Sequence, residues 1–193
     1  MKICFLGSSV TYGSANGGVS FVEYLCEKHG FTYIKEAVSG TTLVDNGEES
    51  YVQRLKNRVS KEESFDLFIC QLSTNDAAKN LPMGQIAVDE NFDTSTVIGA
   101  IEYIISYVKR TWNCPVWFYT GTKFENMQYQ NMVDVLYELQ KKWDIGILDL
   151  WNGLDIQIPQ YGEYMSDPVH PNGKGYREWW MPFVEKELNR RIF

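Results

Sequence analysis

The sequence predicts an α/β protein with three layers, in which helices cover both faces of a five-stranded parallel sheet in a doubly wound order. Short apolar runs of strand length alternate along the chain with segments in which apolar residues recur at helical spacing. The chain has 193 residues, of which 44% are hydrophobic, and shows no internal repeat or Pro/Gly/Ser-rich linker. We therefore expect residues 1–193 to form a single domain.

The elements follow in order along the chain. Apolar runs predict strands at residues 3–6, 31–38, 66–72, 115–120 and 145–150. Helical spacing predicts helices at 19–28, 51–59, 97–108, 132–143 and 176–188. The third helix is expected to have its N-cap at Asp93, Thr94 or Ser95. Pro182 is expected to kink or interrupt the last helix. Residues 76–93 are too long for featureless coil and predict a functional loop or short helices.

Charge and cysteine usage restrict the partners. A net charge of −7 disfavours binding to nucleic acid or to an anionic membrane, because both favour a basic surface. No apolar run approaches the ~20 residues that span a bilayer. The four cysteines are widely spaced, with no CxxC pair, so we expect no metal site. Cys4 and Cys70 lie in apolar runs and are predicted to be core residues. The first residues do not resemble a signal peptide, so we expect a cytoplasmic location.

The strongest chemical signal lies near the end of the sequence, at Asp167-Pro168-Val169-His170-Pro171. Two prolines make this segment a stiff turn. An Asp three residues before a His can hold the ring at Nδ1 and leave Nε2 to act as a base. The other histidine, His29, precedes Gly30 at a predicted helix end and is given no catalytic role.

A candidate nucleophile follows the first predicted strand. The turn Gly7-Ser8-Ser9-Val10-Thr11-Tyr12-Gly13 comes directly after an apolar run. It would place a serine hydroxyl at the carboxyl edge of the sheet, where open α/β sheets carry their active sites.

Four segments in this order resemble the SGNH hydrolases, also called the GDSL esterase/lipase family. They are 7–13, the segment Ala37-Val38-Ser39-Gly40-Thr41-Thr42, the segment Ser73-Thr74-Asn75-Asp76, and 167–171. The resemblance implies a flavodoxin-like fold and a serine esterase without metal or cofactor. It assigns the nucleophile to Ser9, the base to His170 and the orienting carboxylate to Asp167. The oxyanion hole would be formed by the backbone N–H groups of Ser9 and Gly40 and by the Asn75 side chain.

Two positions depart from the family pattern. Ser8 stands where the family has Asp, so the hydrogen bonds of the turn must differ, and Ser73 replaces a glycine. Alignment with the strand end favours Ser9 over Ser8 as the nucleophile. Asp76 is expected to shape its loop.

The substrate and the state of assembly stay open at this point. A small-molecule acyl ester is expected, with short acyl groups, including acetyl on a carbohydrate, favoured over the longer chains of a lipase or lysophospholipase. Trp151, Tyr161 and Tyr164 could line a substrate site or serve packing or a dimer contact. A flavodoxin-like phosphate-binding module, or a hydrolase fold kept for binding, is the alternative to an enzyme, although the Gly7–Gly18 loop lacks P-loop and dinucleotide-binding patterns. The oligomeric state is not predicted.

Overall fold

The structure, a computed structural model, describes residues 1–192 and has the predicted sheet at its centre. Five parallel strands, β1 (Lys2–Gly7), β2 (Thr32–Ala37), β3 (Leu67–Gln71), β4 (Val116–Tyr119) and β5 (Gly146–Leu148), lie in the order β2-β1-β3-β4-β5. Every strand pair is parallel, so all five carboxyl ends meet at one edge of the sheet. The chain reverses direction across the sheet after β2, which leaves the crevice of a doubly wound fold near β1 and β3.

Helices connect the strands. They are α1 (Ser9–Tyr12), α2 (Phe21–His29), α3 (Tyr51–Arg58), α4 (Thr74–Ala78), α5 (Val97–Trp112), α6 (Met127–Trp143), α7 (Leu150–Gly153), α8 (Tyr161–Tyr164), α9 (Gly173–Gly175) and α10 (Met181–Ile192), with a 3₁₀ turn at Ser14–Asn16 and a π-helix at Tyr176–Trp180. Within residues 1–192, no helix combines the length and the apolar character needed to cross a bilayer.

Alternate residues of the inner strands belong to two separate cores. Cys4 and Leu6 of β1 belong to the core that the sheet forms with α3, α5 and α6. Ile3 and Phe5 belong to the opposite core, which the sheet forms with α2 and α10. Because side chains alternate along a strand, a run buried on both faces needs apolar residues at nearly every position. The edge strand β2 has no fully buried residue and carries polar side chains, and Cys4 and Cys70 are buried as predicted.

Two details of the helices differ from the prediction. The cap of α5 is Thr96, whose hydroxyl accepts a hydrogen bond from Gly99 N, so the predicted cap at residues 93–95 was wrong by at least one position. Asp93 instead accepts hydrogen bonds from Ser95 in the preceding turn. Pro182 does not interrupt the last helix: the π-helix runs to Trp180 and α10 follows directly at Met181, so the helical form changes just before the proline and the helix continues through it.

The long irregular segment after α4 is attached to the helices α5 and α6. Ala87 N donates to the buried carboxylate of Glu102, 2.7 Å away, and Lys142 Nζ bridges this carboxylate and Ala87 O. Apolar side chains of the segment, Leu81 among them, pack against the adjacent core. The segment therefore closes the outer end of this helical layer.

One fully buried cation holds the carboxyl ends of β1 and β2 together. Arg54 on α3 donates from Nη2 to Gly7 O at 2.8 Å and to Thr41 Oγ1 at 3.0 Å. Its Nη1 donates to both the backbone oxygen and the carboxylate of Glu36, and its Nε donates to Glu49 O. The guanidinium thereby donates to carbonyl oxygens at the ends of β1 and β2 and at the start of α3, and so links these three segments.

We expect Arg54→Met to lower the free energy of unfolding by about 3–5 kcal/mol, because the substitution removes the buried partner of the Glu36 carboxylate and the donor to the carbonyl oxygens of Gly7, Glu36 and Glu49. Urea denaturation followed by circular dichroism measures the change. The matched control is Arg58→Met: Arg58 pairs with the same carboxylate at 3.5 Å but is 41% exposed, so its loss should have little effect. Equal losses in the two variants would contradict this role of Arg54.

Candidate active site

The first strand ends in a sharp turn that presents one serine and buries another. Ser8 adopts a non-helical backbone conformation, and Ser9 begins the single helical turn α1. Gly13 ends that turn with a φ of +85°, and a Cβ there would lie 2.4 Å from Val19 O, so glycine is required on both counts. Ser9 keeps 8% of its surface exposed, whereas Ser8 is fully buried. The turn therefore leaves Ser9 as the serine that can meet a ligand.

Ser9, His170 and Asp167 form a continuous chain of polar contacts, although 161 residues separate the serine from the histidine. Ser9 Oγ lies 2.7 Å from His170 Nε2. His170 Nδ1 lies 2.8 and 2.9 Å from the two carboxylate oxygens of Asp167. With the ring proton on Nδ1, facing the carboxylate, Nε2 is free to accept the proton of the serine. The structure thus brings together the three residues that the sequence predicted as a triad.

The same carboxylate also fixes the backbone of the turn. Asp167 Oδ1 accepts hydrogen bonds from Val169 N and His170 N, both at 2.8 Å. Partial burial raises the pKa of Asp167, but these bonds and the contact with the His170 ring outweigh that effect and hold the pKa below its usual value. Asp167 is therefore ionised at neutral pH, as a partner of an imidazolium must be.

Backbone hydrogen bonds also join the two ends of the turn that carries Asp167 and His170, here called the histidine turn (residues 165–171). Met165 and Pro171 form an antiparallel bridge, and Ser166 N donates to His170 O at 2.9 Å. Asn172 N donates to Tyr164 O, and the Asn172 side chain caps α9. These bonds fix the backbone on both sides of His170. The other histidine, His29, pairs with Glu185 at the far end of α2.

A glutamine at the end of β3 holds the turn of residues 7–13, the serine turn, by hydrogen bonds. Gln71 Oε1 accepts from Ser8 N at 2.9 Å and from Thr11 Oγ1 at 2.8 Å, with longer contacts to Ser8 Oγ and Thr11 N. The Thr11 hydroxyl also contacts the Tyr119 hydroxyl at 2.5 Å. Ser8 is thus a buried turn residue whose polar atoms contact Gln71, and it does not contact the histidine.

The other two expected oxyanion donors belong to neighbouring loops that are joined to each other. Asn75 Nδ2 donates to Thr41 O at 2.9 Å, which uses one of its two N–H groups and leaves the second for a ligand. Gly40 has a φ of +81°, and a Cβ there would meet no protein atom within 4 Å. The backbone conformation, rather than contact with the protein, therefore accounts for glycine at this position.

Asp76 shapes this loop, as expected. Its two carboxylate oxygens accept hydrogen bonds from Leu43 N at 2.8 Å and Val44 N at 2.9 Å. Burial raises the pKa of Asp76, while these bonds and the Ser73 hydroxyl act in the opposite direction. Ser73, which replaces the family glycine, caps α4 by accepting a bond from Asp76 N. Asp76 therefore links α4 to the loop that carries Gly40.

Sequence reasoning missed Arg54 and Gln71, which position the site without belonging to a motif. Arg54 lies in a predicted helix, and Gln71 ends a predicted strand; both would be read as solvated polar residues. A polar residue at the last position of an otherwise apolar strand was the available signal for Gln71. Among residues 1–192, no group of three or more His, Cys, Asp or Glu side chains is arranged to hold a metal ion.

The three aromatic residues considered for a substrate site have different positions. Trp151 is buried at the base of α7, and its indole Nε1 donates to Gln130 Oε1 at 2.8 Å. Tyr164 stacks on Trp179, with ring centroids 5.7 Å apart. Tyr161 meets the same indole edge-on and also borders an open groove.

Several solved structures are similar to this chain over its whole length. A protein from Lactobacillus plantarum aligns with a TM-score of 0.81 at 18% identity, over 100% of this chain and 98% of that one. A protein from Bacteroides ovatus described as a GDSL-like lipase gives a TM-score of 0.73 at 14% identity, over 98% of each chain. A family two carbohydrate esterase from Clostridium thermocellum gives 0.69 at 15% identity, over 99% of this chain and 64% of that one. At these identities the likeness shows the fold.

The sequence itself carries the family assignment. No curated protein sequence matches this chain. The profile of the GDSL-like lipase/acylhydrolase family matches residues 5–178, which include the serine turn, the loops of Gly40 and Asn75 and the histidine turn. The chain therefore belongs to the GDSL-like lipase/acylhydrolase family.

Proposed function

We propose that this protein is a serine hydrolase of carboxylic esters that uses Ser9, His170 and Asp167 as its catalytic triad. The observation that carries the proposal is the continuous contact from Ser9 Oγ through the His170 ring to the Asp167 carboxylate, with distances of 2.7 and 2.8 Å. A serine hydroxyl is a weak nucleophile until a base accepts its proton. A third group that orients the base completes the arrangement.

In the proposed reaction, Ser9 Oγ attacks the carbonyl carbon of the ester while its proton passes to His170 Nε2. The new bond pushes the carbonyl electron pair onto oxygen, and the resulting imidazolium is stabilised by Asp167. When the C=O bond re-forms, the bond to the alcohol oxygen breaks, and that oxygen takes the proton from Nε2. Water then attacks the acyl group on Ser9 with the same assistance from His170, which releases a carboxylic acid and restores the Ser9 hydroxyl.

The negative oxygen of each tetrahedral intermediate needs hydrogen-bond donors that are already in place. We assign this role to the backbone N–H groups of Ser9 and Gly40 and to the second N–H of the Asn75 amide. The hydrogen bonds from Arg54 to Thr41 and from Asn75 to Thr41 support this assignment, because they fix the two loops relative to the end of β1.

For the acyl part of the substrate we propose a short group such as acetyl. The depression beside Gly40 has a volume of about 250 Å³ and is lined largely by polar side chains, including Thr41, Thr42 and Ser50. Such a surface offers a fatty chain little apolar contact. Hydrolysis of longer acyl esters is the second candidate, because an apolar groove of about 510 Å³ opens at the same edge of the sheet.

We expect Ser9→Ala to lower the hydrolysis of p-nitrophenyl acetate by several orders of magnitude, because the substitution removes the attacking oxygen. Initial rates on the acetate, butyrate and octanoate esters measure the loss and the acyl preference together. Ser8→Ala is the matched control in the adjacent position, and it should keep most of the activity. A larger loss in Ser8→Ala than in Ser9→Ala would disprove the assignment of the nucleophile.

We expect Asn75→Ala to lower kcat by about 10²–10³, because the removed amide acts mainly on the transition state. KM should change far less, and steady-state kinetics separate the two constants. The control is Asn57→Ala, which removes an exposed asparagine from α3 and should leave both constants unchanged. A rise in KM with unchanged kcat in Asn75→Ala would show that the amide binds substrate and does not stabilise the intermediate.

A further inference from the structure

An apolar groove leads away from the histidine turn. It runs between the loop after β4 and the segment after β5, with a volume of about 510 Å³ in the part beside α6 and about 480 Å³ in the part that Pro168 lines. Its apolar lining consists of Phe124, Met127, Trp151, Ile156, Tyr161 and Pro168. Pro168 belongs to the turn that carries Asp167 and His170, so the second part borders that turn.

The wall of the groove is rigid. Trp151 is 2% exposed and is fixed by its hydrogen bond to Gln130. Phe124 stands edge-on against the Trp151 ring, with centroids 5.2 Å apart. Because these rings are fixed by the protein, a ligand would lose little binding energy in ordering them.

Two polar side chains in the wall of the groove have partners within the protein, and most of the surface that lines the groove is apolar. Gln130 Oε1 accepts from Trp151, and Gln130 Nε2 donates to Asp134 at 2.9 Å. Asn126 Oδ1 accepts from Tyr129 N at 2.8 Å. A sugar ring would bring hydroxyl groups that need placed donors and acceptors. The groove therefore suits a hydrocarbon group better than a carbohydrate.

The charged side chains that border the groove also favour an uncharged ligand. Lys123 and Glu125 both border the groove and carry opposite signs. Lys123 Nζ lies 5.9 Å from the centre of the Trp151 ring. One charge of each sign gives the groove no preference for a charged group.

The position of the groove decides which half of an ester it can hold. In the proposed reaction the alcohol oxygen receives its proton from His170 Nε2, so the alcohol part must leave on the histidine side. The groove begins at Pro168 in the histidine turn, whereas Gly40 borders the separate polar depression. The alcohol half of the substrate is therefore the half that would enter the groove.

We propose that this groove is the binding site for an apolar alcohol group, and that the natural substrates are short-acyl esters of hydrophobic alcohols. This inference rests on the proposed serine esterase function. It reconciles the small polar depression on the Gly40 side with the large apolar groove on the histidine side.

Two isomeric esters test the inference directly. Hexyl acetate and ethyl hexanoate have the same atoms and the same leaving-group class, but the long chain lies on opposite sides of the ester bond. We expect kcat/KM for hexyl acetate to exceed that for ethyl hexanoate by about tenfold or more, since each methylene bound in an apolar pocket adds to discrimination.

Met127→Glu then connects the preference with the groove. Met127 is 76% exposed and begins α6, where a carboxylate suits the helix N-terminus, so the variant should fold normally. It should abolish most of the advantage that hexyl acetate has over ethyl hexanoate. The matched control is Val88→Glu, which places the same charge on a fully exposed apolar residue outside the groove and should keep the advantage.

Each other result overturns the inference. A preference for ethyl hexanoate that Met127→Glu removes would assign the groove to the acyl chain. The absence of any advantage for hexyl acetate, or an advantage that Met127→Glu leaves intact, would show that the groove does not bind the alcohol. Labelling by a fluorophosphonate distinguishes failure of the groove proposal from failure of the esterase proposal. Labelling at Ser9 without the predicted preference removes the groove proposal alone, whereas absent labelling together with absent hydrolysis contradicts the esterase proposal as well.

Discussion

The arrangement of the candidate site depends on a charge buried beneath the sheet edge. Arg54 reaches the last residue of β1, the penultimate residue of β2 and the hydroxyl of Thr41 at once, and its own helix supplies no part of the reaction machinery. A buried guanidinium is costly unless each N–H has an acceptor. Here the acceptors are the carbonyl groups that must be held in place if three loops are to face one substrate atom.

Two further polar residues extend this support to the other loops. Gln71 holds the serine turn from the end of β3, and Asp76 holds the Gly40 loop through Leu43 N and Val44 N. Both side chains are buried and accept hydrogen bonds from backbone or turn groups. The residues proposed to act on the substrate are therefore positioned by buried neighbours that have no proposed role in the reaction. Stabilisation of a transition state requires precise positioning of this kind.

Much of the fold could be predicted from the sequence because its signals are local. Apolar runs buried on both faces predicted the inner strands, and helical spacing predicted the long helices. The cap of α5 was missed because Asp93, Ser95 and Thr96 are all capable residues, and only the geometry of the turn selects Thr96. The roles of Arg54 and Gln71 were missed because their burial results from contacts between elements far apart in the chain, and for Gln71 the only local signal was its place at the end of an apolar strand. The motifs identified Ser9, Asp167 and His170, yet the choice against Ser8 became physical only with the hydrogen bonds to Gln71.

We propose that one substrate oxygen is bound by donors from three loops while Ser9 is bonded to the carbonyl carbon. A crystal structure of the protein inactivated with a small organophosphate tests this, because the tetrahedral phosphorus mimics the intermediate. We expect phosphorus bonded to Ser9 Oγ, with one phosphoryl oxygen about 2.7–3.1 Å from Ser9 N, Gly40 N and Asn75 Nδ2. Phosphorus on another residue, or a phosphoryl oxygen that points away from Gly40 and Asn75, would show that these groups do not form the oxyanion hole.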